Sequence, residues 1–128
     1  MSPEAEEQLA LAHYGMKRVE WEATGPFPEL AAREAYLAAL HAACAYIAQH
    51  VGRVPKSHSG VQAQFHDLCR QRGEIAPVHP RFLSEAYAYK AAADYLGKRH
   101  PDFADLPGII ASARALIAAV EAALTPAP

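Results

Sequence analysis

Residues 30–51, LAAREAYLAALHAACAYIAQHV, constrain the fold of this chain more than any other stretch. Leu30, Leu37, Cys44 and Val51 recur at heptad spacing, and Tyr36, Leu40, Ala43 and Ile47 fill the steps between them. Apolar residues three and four apart share one side of a helix, so the pattern predicts a helix inside a bundle. Alanines dominate its other positions, which lets neighbouring helices approach closely. Arg33 and His41 break into the stripe. His41, one turn from both Leu37 and Cys44, is expected to be partly buried and bonded to a neighbouring helix, and Cys44 to be a small core residue.

The remaining segments read as partners for this helix. Ser2-Pro3-Glu4 is a strong helix start, with a capping hydroxyl, a first-turn proline and acids near the positive end of the helix dipole. The first helix should run to about Thr24 with Leu9, Ala12, Met16, Val19 and Ala23 inward. Gly25-Pro26-Phe27-Pro28 stops it, with Phe27 expected to pack under the turn. Ser57 or Ser59 can cap a third helix ending at Arg72, where Gly73 is a natural terminator. A fourth helix is expected from Pro80 to Leu96, using Phe82, Leu83, Ala86, Tyr87, Ala91 and Tyr95 for the core. A fifth should open at Pro107 or Gly108 and end at Leu124, leaving residues 125–128 as a frayed tail. No useful strand alternation is present. The prediction is a single all-α domain over 1–128, an antiparallel up-and-down bundle of four to five helices.

The formal net charge of -2 gives no global basic field, so any nucleic-acid site must be local. Cys44 and Cys69 form no CxxC pair, which argues against a disulfide scaffold or zinc module and makes reduced thiols the expectation. The N-terminus MSPEAEEQ is acidic rather than basic-then-apolar, and no run of about 18 apolar residues suggests a membrane span. A cytoplasmic location away from membranes is expected. HxxxH and HExxH are missing, so neither metal nor other cofactor is expected.

Polar chemistry concentrates between Val51 and Gly73. Arg53, Lys56, Arg70 and Arg72 stand there against Asp67 alone, together with His58 and His66. A cationic loop at a helix start can hold phosphate through side chains and backbone N–H groups together; the competing reading is a solvated loop whose charges aid solubility. Ser57 and Ser59 read as caps, because no placed acid completes a triad with His58. Farther on, Lys90 and Asp94 are one turn apart with Tyr95 beside them. Two R-x-H spacings, Arg53 to His58 and Arg72 to His79, fall in or across proline-containing loops.

AAREAYLAALHAA (31–43), VPKSHSGV (54–61) and YKAAADY (89–95) together resemble the HEPN domain family. The similarity is to small stand-alone members with an A-x-x-A-Y-Y-A-A-F-H-A helix, a K-T-H-S-G loop and an R-x-x-A-D-Y helix. Tyr36, His41, His58, Gly60, Ala93 and Asp94 match; Leu37 replaces the second tyrosine of the Tyr-Tyr pair. The resemblance implies a four- or five-helix bundle, often a homodimer and often paired with a minimal nucleotidyltransferase in a toxin–antitoxin or related two-component system.

Some HEPN proteins are metal-independent ribonucleases using R-x4-6-H across a dimer. Here Lys90 aligns with the arginine and Tyr95 with the histidine, and an ordinary tyrosine is a poor acid or base near neutrality. The resemblance therefore implies a non-catalytic bundle that binds a nucleotidyltransferase-like partner, a nucleotide or RNA. Its candidate binding residues are Arg53, Lys56, His58, Ser59, Gly60, Arg70, Arg72, Lys90, Asp94 and Tyr95. Two alternatives stand beside it: a ribonuclease toxin using Arg53 with His58 or Arg72 with His79, and a purely structural dimerisation module.

Overall fold

The computed structural model describes residues 1–94 and 105–126, with side chains described through 91 and from 105 to 126. Five helices follow in order: α1 (Pro3–Glu22), α2 (Pro28–His50), α3 (His58–Arg72), α4 (Val78–Asp94) and α5 (Leu106–Leu124). No strand occurs among the described residues, and the fold is an all-α helical bundle.

Local chemistry sets the helix ends. The Ser2 hydroxyl accepts the Ala5 N–H at the start of α1, and the Ser57 hydroxyl accepts the Gly60 N–H at the start of α3. Ser57 is thus the cap, and His58 is the first helical residue. Gly73, with φ 70°, takes the left-handed conformation that closes α3. Pro28 opens α2 two residues before the first leucine of the sequence stripe, as its fixed φ suits a first turn. Thr125 closes α5: its N–H and hydroxyl both donate to the Glu121 carbonyl. The sequence-predicted end of α4 at Leu96 lies outside the described residues.

Helix α2 is the axis of the bundle, in contact with each of the other four. Ala31, Ala32, Ala35, Ala38, Ala39, Ala42, Ala43, Ala45 and Ala48 are all buried, as are Tyr36, Tyr46 and Ile47. Of the predicted stripe, Tyr36, Ala43, Cys44 and Ile47 are buried and Leu37 and Leu40 pack partly against the core, whereas Leu30 and Val51 at its two ends are exposed. Alanine carries the burial because its small side chain brings neighbouring backbones close on several sides. At Gly15 of α1, a Cβ atom would stand 3.1 Å from the Ala38 Cβ. Three further expectations shift. Phe27 is exposed rather than packed under its turn, Ala23 is exposed, and Tyr87 is 41% exposed.

Paired side chains give the helix directions. Ser2 with Gln49, Gln8 with His41 and Arg18 with Glu34 run α1 antiparallel to α2. His13 with Glu121 and Glu20 with Arg114 do the same for α1 and α5. Tyr36 meets His58, Tyr46 meets Phe65, and His50 approaches Glu74, so α2 and α3 run in the same sense. The Pro55-containing connection carries the chain back along α2, which sets the start of α3 beside the middle of α2.

By length and composition α5 could cross a membrane, with a mean hydropathy of 1.5 over its apolar window. In the fold it lays Ile109, Ala113, Leu116, Ile117, Val120 and Leu124 into the bundle. Both of its charges are tied to α1, Arg114 to Glu20 at 2.9 Å and Glu121 to His13 at 2.7 Å.

The α1–α2 junction also holds a buried acid that the sequence did not mark. Glu34 lies 3.3 Å from Arg18 and 3.3 Å from Arg33. Two cations offset the cost of burying one carboxylate. Replacing Gly15 with leucine is expected to force α1 off α2 and to destabilise the chain by about 1–3 kcal/mol in denaturant unfolding. An unchanged midpoint would show that the helices are not held at this distance.

Candidate anion-binding loop

Residues 51–60 leave the end of α2, pass Pro55 and enter α3. A cleft of about 450 Å³ opens on this loop, lined by Val51, Arg53, Val54, Pro55, Lys56 and Gln64. Arg53 and Lys56 are exposed, and neither joins an ion pair among the described residues. Gly60 holds the loop tight against the helix. A Cβ there would stand 2.9 Å from both the Pro55 Cβ and the Ser57 hydroxyl.

Below the loop, a buried tyrosine fixes His58. Tyr36 is fully buried, and its hydroxyl accepts the Gln62 side-chain N–H at 3.1 Å and shares a hydrogen bond of 2.8 Å with His58 Nδ1. Burial pushes the phenol up to about 12, against the opposing pull of the Gln62 hydrogen bond, so it stays protonated near neutrality. The Tyr36 and His58 rings stack with centroids 5.7 Å apart and 15° between planes. Tyr87 of α4 meets Tyr36 edge-on and lies 5.6 Å from His58.

Lys90 follows Tyr87 by three residues on α4, hence on a neighbouring face of that helix. Asp94 is the last residue of α4, and Tyr95 lies outside the described residues.

The structure divides the cationic residues predicted from sequence into two groups. Arg53 and Lys56 line the loop's cleft with Gln64, and His58, Ser59 and Gly60 form the first turn of α3. Arg70 and Arg72 stand about 18 Å or more along the helix axis at its other end. There Arg70 pairs with Asp67 at 3.4 Å, and Arg72 Nε donates to Glu74 at 2.7 Å. Glu74 lies one residue beyond the stretch whose charge excess drew attention to these arginines.

Glu74 also accepts the Tyr46 hydroxyl at 2.6 Å, and the two donors together hold its carboxyl below the usual range. His50 Nε2 is 3.8 Å from the same carboxylate and has no hydrogen-bond partner among the described residues. Burial pushes Tyr46 up, and the hydrogen bond to Glu74 pushes it further. His79 lies just past this end, on the first turn of α4.

The two cysteines take no part in either group. Both are free and buried, and burial raises Cys44 to about 11 and Cys69 to about 12. His41 is partly buried, with Nδ1 2.8 Å from the Gln8 side-chain oxygen of α1. Of the His58 environment, the sequence did not mark Gln62 and marked Tyr87 only as a core residue. Gln62 is one turn beyond His58 and Tyr87 is three residues before Lys90, so helical spacing could have suggested both.

Tyr36→Phe is expected to cost about 1–2 kcal/mol in denaturant unfolding, since it strips a hydroxyl from two part-buried partners, His58 and Gln62. It should also change the imidazole ¹⁵N shifts of His58; unchanged shifts would refute the contact. A second expectation concerns pH. Burial holds His41, His50 and His79 below the ordinary imidazole value, with the Arg72 charge adding to the effect at His50. Glu34 and Glu74 oppose it at His41 and His50 respectively. The unfolded chain therefore takes up these protons first as pH falls. The stability they contribute is present above about pH 6.5 and is lost as pH drops through that value toward the folded ones. Denaturant midpoints measured between about pH 7.5 and about pH 5 should decline steadily, and a flat profile would contradict the sign.

No family model matches the chain, and no curated protein matches it.

Proposed function

We propose that this chain is a non-catalytic HEPN-type bundle that binds the phosphates of a nucleotide or RNA at the loop from Arg53 to Gly60. The observation that carries this reading is the 2.8 Å hydrogen bond between Tyr36 and His58. It joins two segments that separately resemble the family, the alanine-rich helix and the K-S-H-S-G loop. Arg53 and Lys56 line the cleft on the same loop.

The electrostatics of α3 support the same reading. Its first turn carries no acid to balance the positive end of the helix, and Lys56 precedes the cap. A bound anion would balance both. Arg70 and Arg72 have a sufficient structural role at the opposite end, where cations complement the dipole. The ribonuclease alternative through Arg72 and His79 is less favoured, because the Arg72 guanidinium is engaged by Glu74. In this reading the chemistry belongs to a nucleotidyltransferase-like partner, and the present chain supplies recognition.

The test is titration of a labelled RNA oligonucleotide and of ATP at low salt. Arg53→Glu with Lys56→Glu should weaken binding by at least about tenfold and flatten its salt dependence. Arg70→Glu should have little effect. Equal binding by wild type and the double variant would remove the loop from consideration. RNA cleavage by the pure wild-type protein, lost in His58→Ala, would restore the ribonuclease reading.

A further inference from the structure

The outer side of α1 carries an aromatic groove, and nothing in the anion reading uses it. Tyr14, Lys17, Arg18, Trp21 and Glu22 line it, around a volume of about 420 Å³. Trp21 is 79% exposed and Tyr14 62%, the two most open of the large apolar side chains among the described residues. Single apolar residues on a surface need no explanation; two large rings in one groove mark a contact site.

The polar groups of this groove are mostly donors. The Tyr14 hydroxyl and the Trp21 indole N–H have no hydrogen-bond partner among the described residues. Lys17 is exposed and joins no ion pair among them. Arg18 holds Glu34 at 3.3 Å, yet its side chain is 54% exposed. Glu22 is the one acid, and its Oε2 is buried away from water. Such a groove complements a ligand with apolar rings, many acceptors and few donors.

Spacing narrows the ligand further. Tyr14 and Trp21 stand two helical turns apart, about 10.5 Å along the axis of α1. A polyproline II helix repeats every three residues, or about 9.3 Å, so rings one repeat apart can meet both aromatic side chains. Its carbonyls make no internal hydrogen bonds, and proline brings no N–H. A packed helix has its carbonyls already bonded along its length. A nucleic acid also supplies acceptors, but α1 carries five acids against Lys17 and Arg18. A run of phosphates along it meets more repulsion than attraction, whereas a single acid is satisfied by Lys17.

We propose that this groove binds an extended proline-rich segment of another protein, with an acidic residue between its prolines. Proline rings lie on Tyr14 and Trp21, the phenol and indole donate to backbone carbonyls, and Lys17 takes the acid. The proposal does not depend on phosphate binding at the α3 loop.

Trp21 is the chain's single tryptophan, so its emission reports the groove directly. The probe is a capped proline peptide with one central glutamate and no aromatic residue. Titrated into the full chain, it should move Trp21 emission to the blue and saturate with a dissociation constant below about 1 mM. A glycine–serine peptide with the same central glutamate should leave the emission unchanged. Tyr14→Ala, an exposed substitution, should keep the far-ultraviolet dichroism of the wild type and weaken binding by about tenfold. Lys17→Gln is the second variant and serves alone if Tyr14→Ala loses its helical signal. Exchanging the peptide's glutamate for glutamine should weaken binding to the wild type by about twofold to fivefold and make no difference to Lys17→Gln. Trp21 emission that is unmoved by the proline peptide at about 1 mM would overturn the proposal. An equal response to the glycine–serine peptide, or wild-type behaviour in both variants, would overturn it too. A response to an RNA oligonucleotide but not to the proline peptide would reject the peptide in favour of a nucleic acid.

Discussion

The close approach of alanine-covered backbones around α2 is the constraint on which the rest of this structure depends. A helix lined with leucine on one side needs one neighbour; α2, lined with buried alanines on several sides, needs four. Small side chains contribute little apolar area each, so their contribution depends on distance. The 3.1 Å available to a Cβ at Gly15 shows how little room is left. Close packing of this kind leaves few ways to relax, and it places each partner helix against α2 with little freedom to slide.

Larger polar side chains then fix what the alanines bring together. His41 reaches Gln8 on α1, Tyr36 reaches His58 and Gln62 on α3, and Tyr46 reaches Glu74 beyond the end of α3. Each is a buried or partly buried group whose desolvation is offset only in one register of the two helices. The two tyrosines of α2 therefore hold the two ends of α3. That is why a helix entered through a long extended connection still lies in a single position, with its start beside the middle of α2.

The helices were legible in the sequence because their signals are local. Ser2, Ser57, Pro28, Gly73 and the proline-rich turns state where helices begin and end, and the structure places the boundaries within a few residues of those signals. The inward side of α2 was not legible by the same means. Alanine is apolar enough for a core and small enough for a surface, so an alanine-rich helix has almost no preferred side. The leucines suggest the side, and here Leu30 is exposed and Leu37 packs only partly against the core. The site was half legible. The cluster of Arg53, Lys56, His58 and Gly60 is contiguous in the chain and stood out. The hydroxyl that orients His58 is 22 positions earlier, and only the tertiary arrangement brings it within 2.8 Å. Glu74 illustrates the complementary failure, since a charge count that stops at Gly73 cannot see the carboxylate that engages Arg72.

The two ends of α3 carry the same kind of residue under opposite electrostatic conditions. At the C-terminal end, Arg70 and Arg72 lie near the negative pole of the helix and each has a carboxylate, so their presence is satisfied by the fold alone. At the N-terminal end, Lys56 adjoins the positive pole and the first turn contributes no acid. Cations placed there work against the helix unless something negative joins them. Proximity in sequence had merged four basic residues into one patch. The helix dipole separates them into two that the fold accounts for and two, Arg53 and Lys56, that an external anion accounts for best.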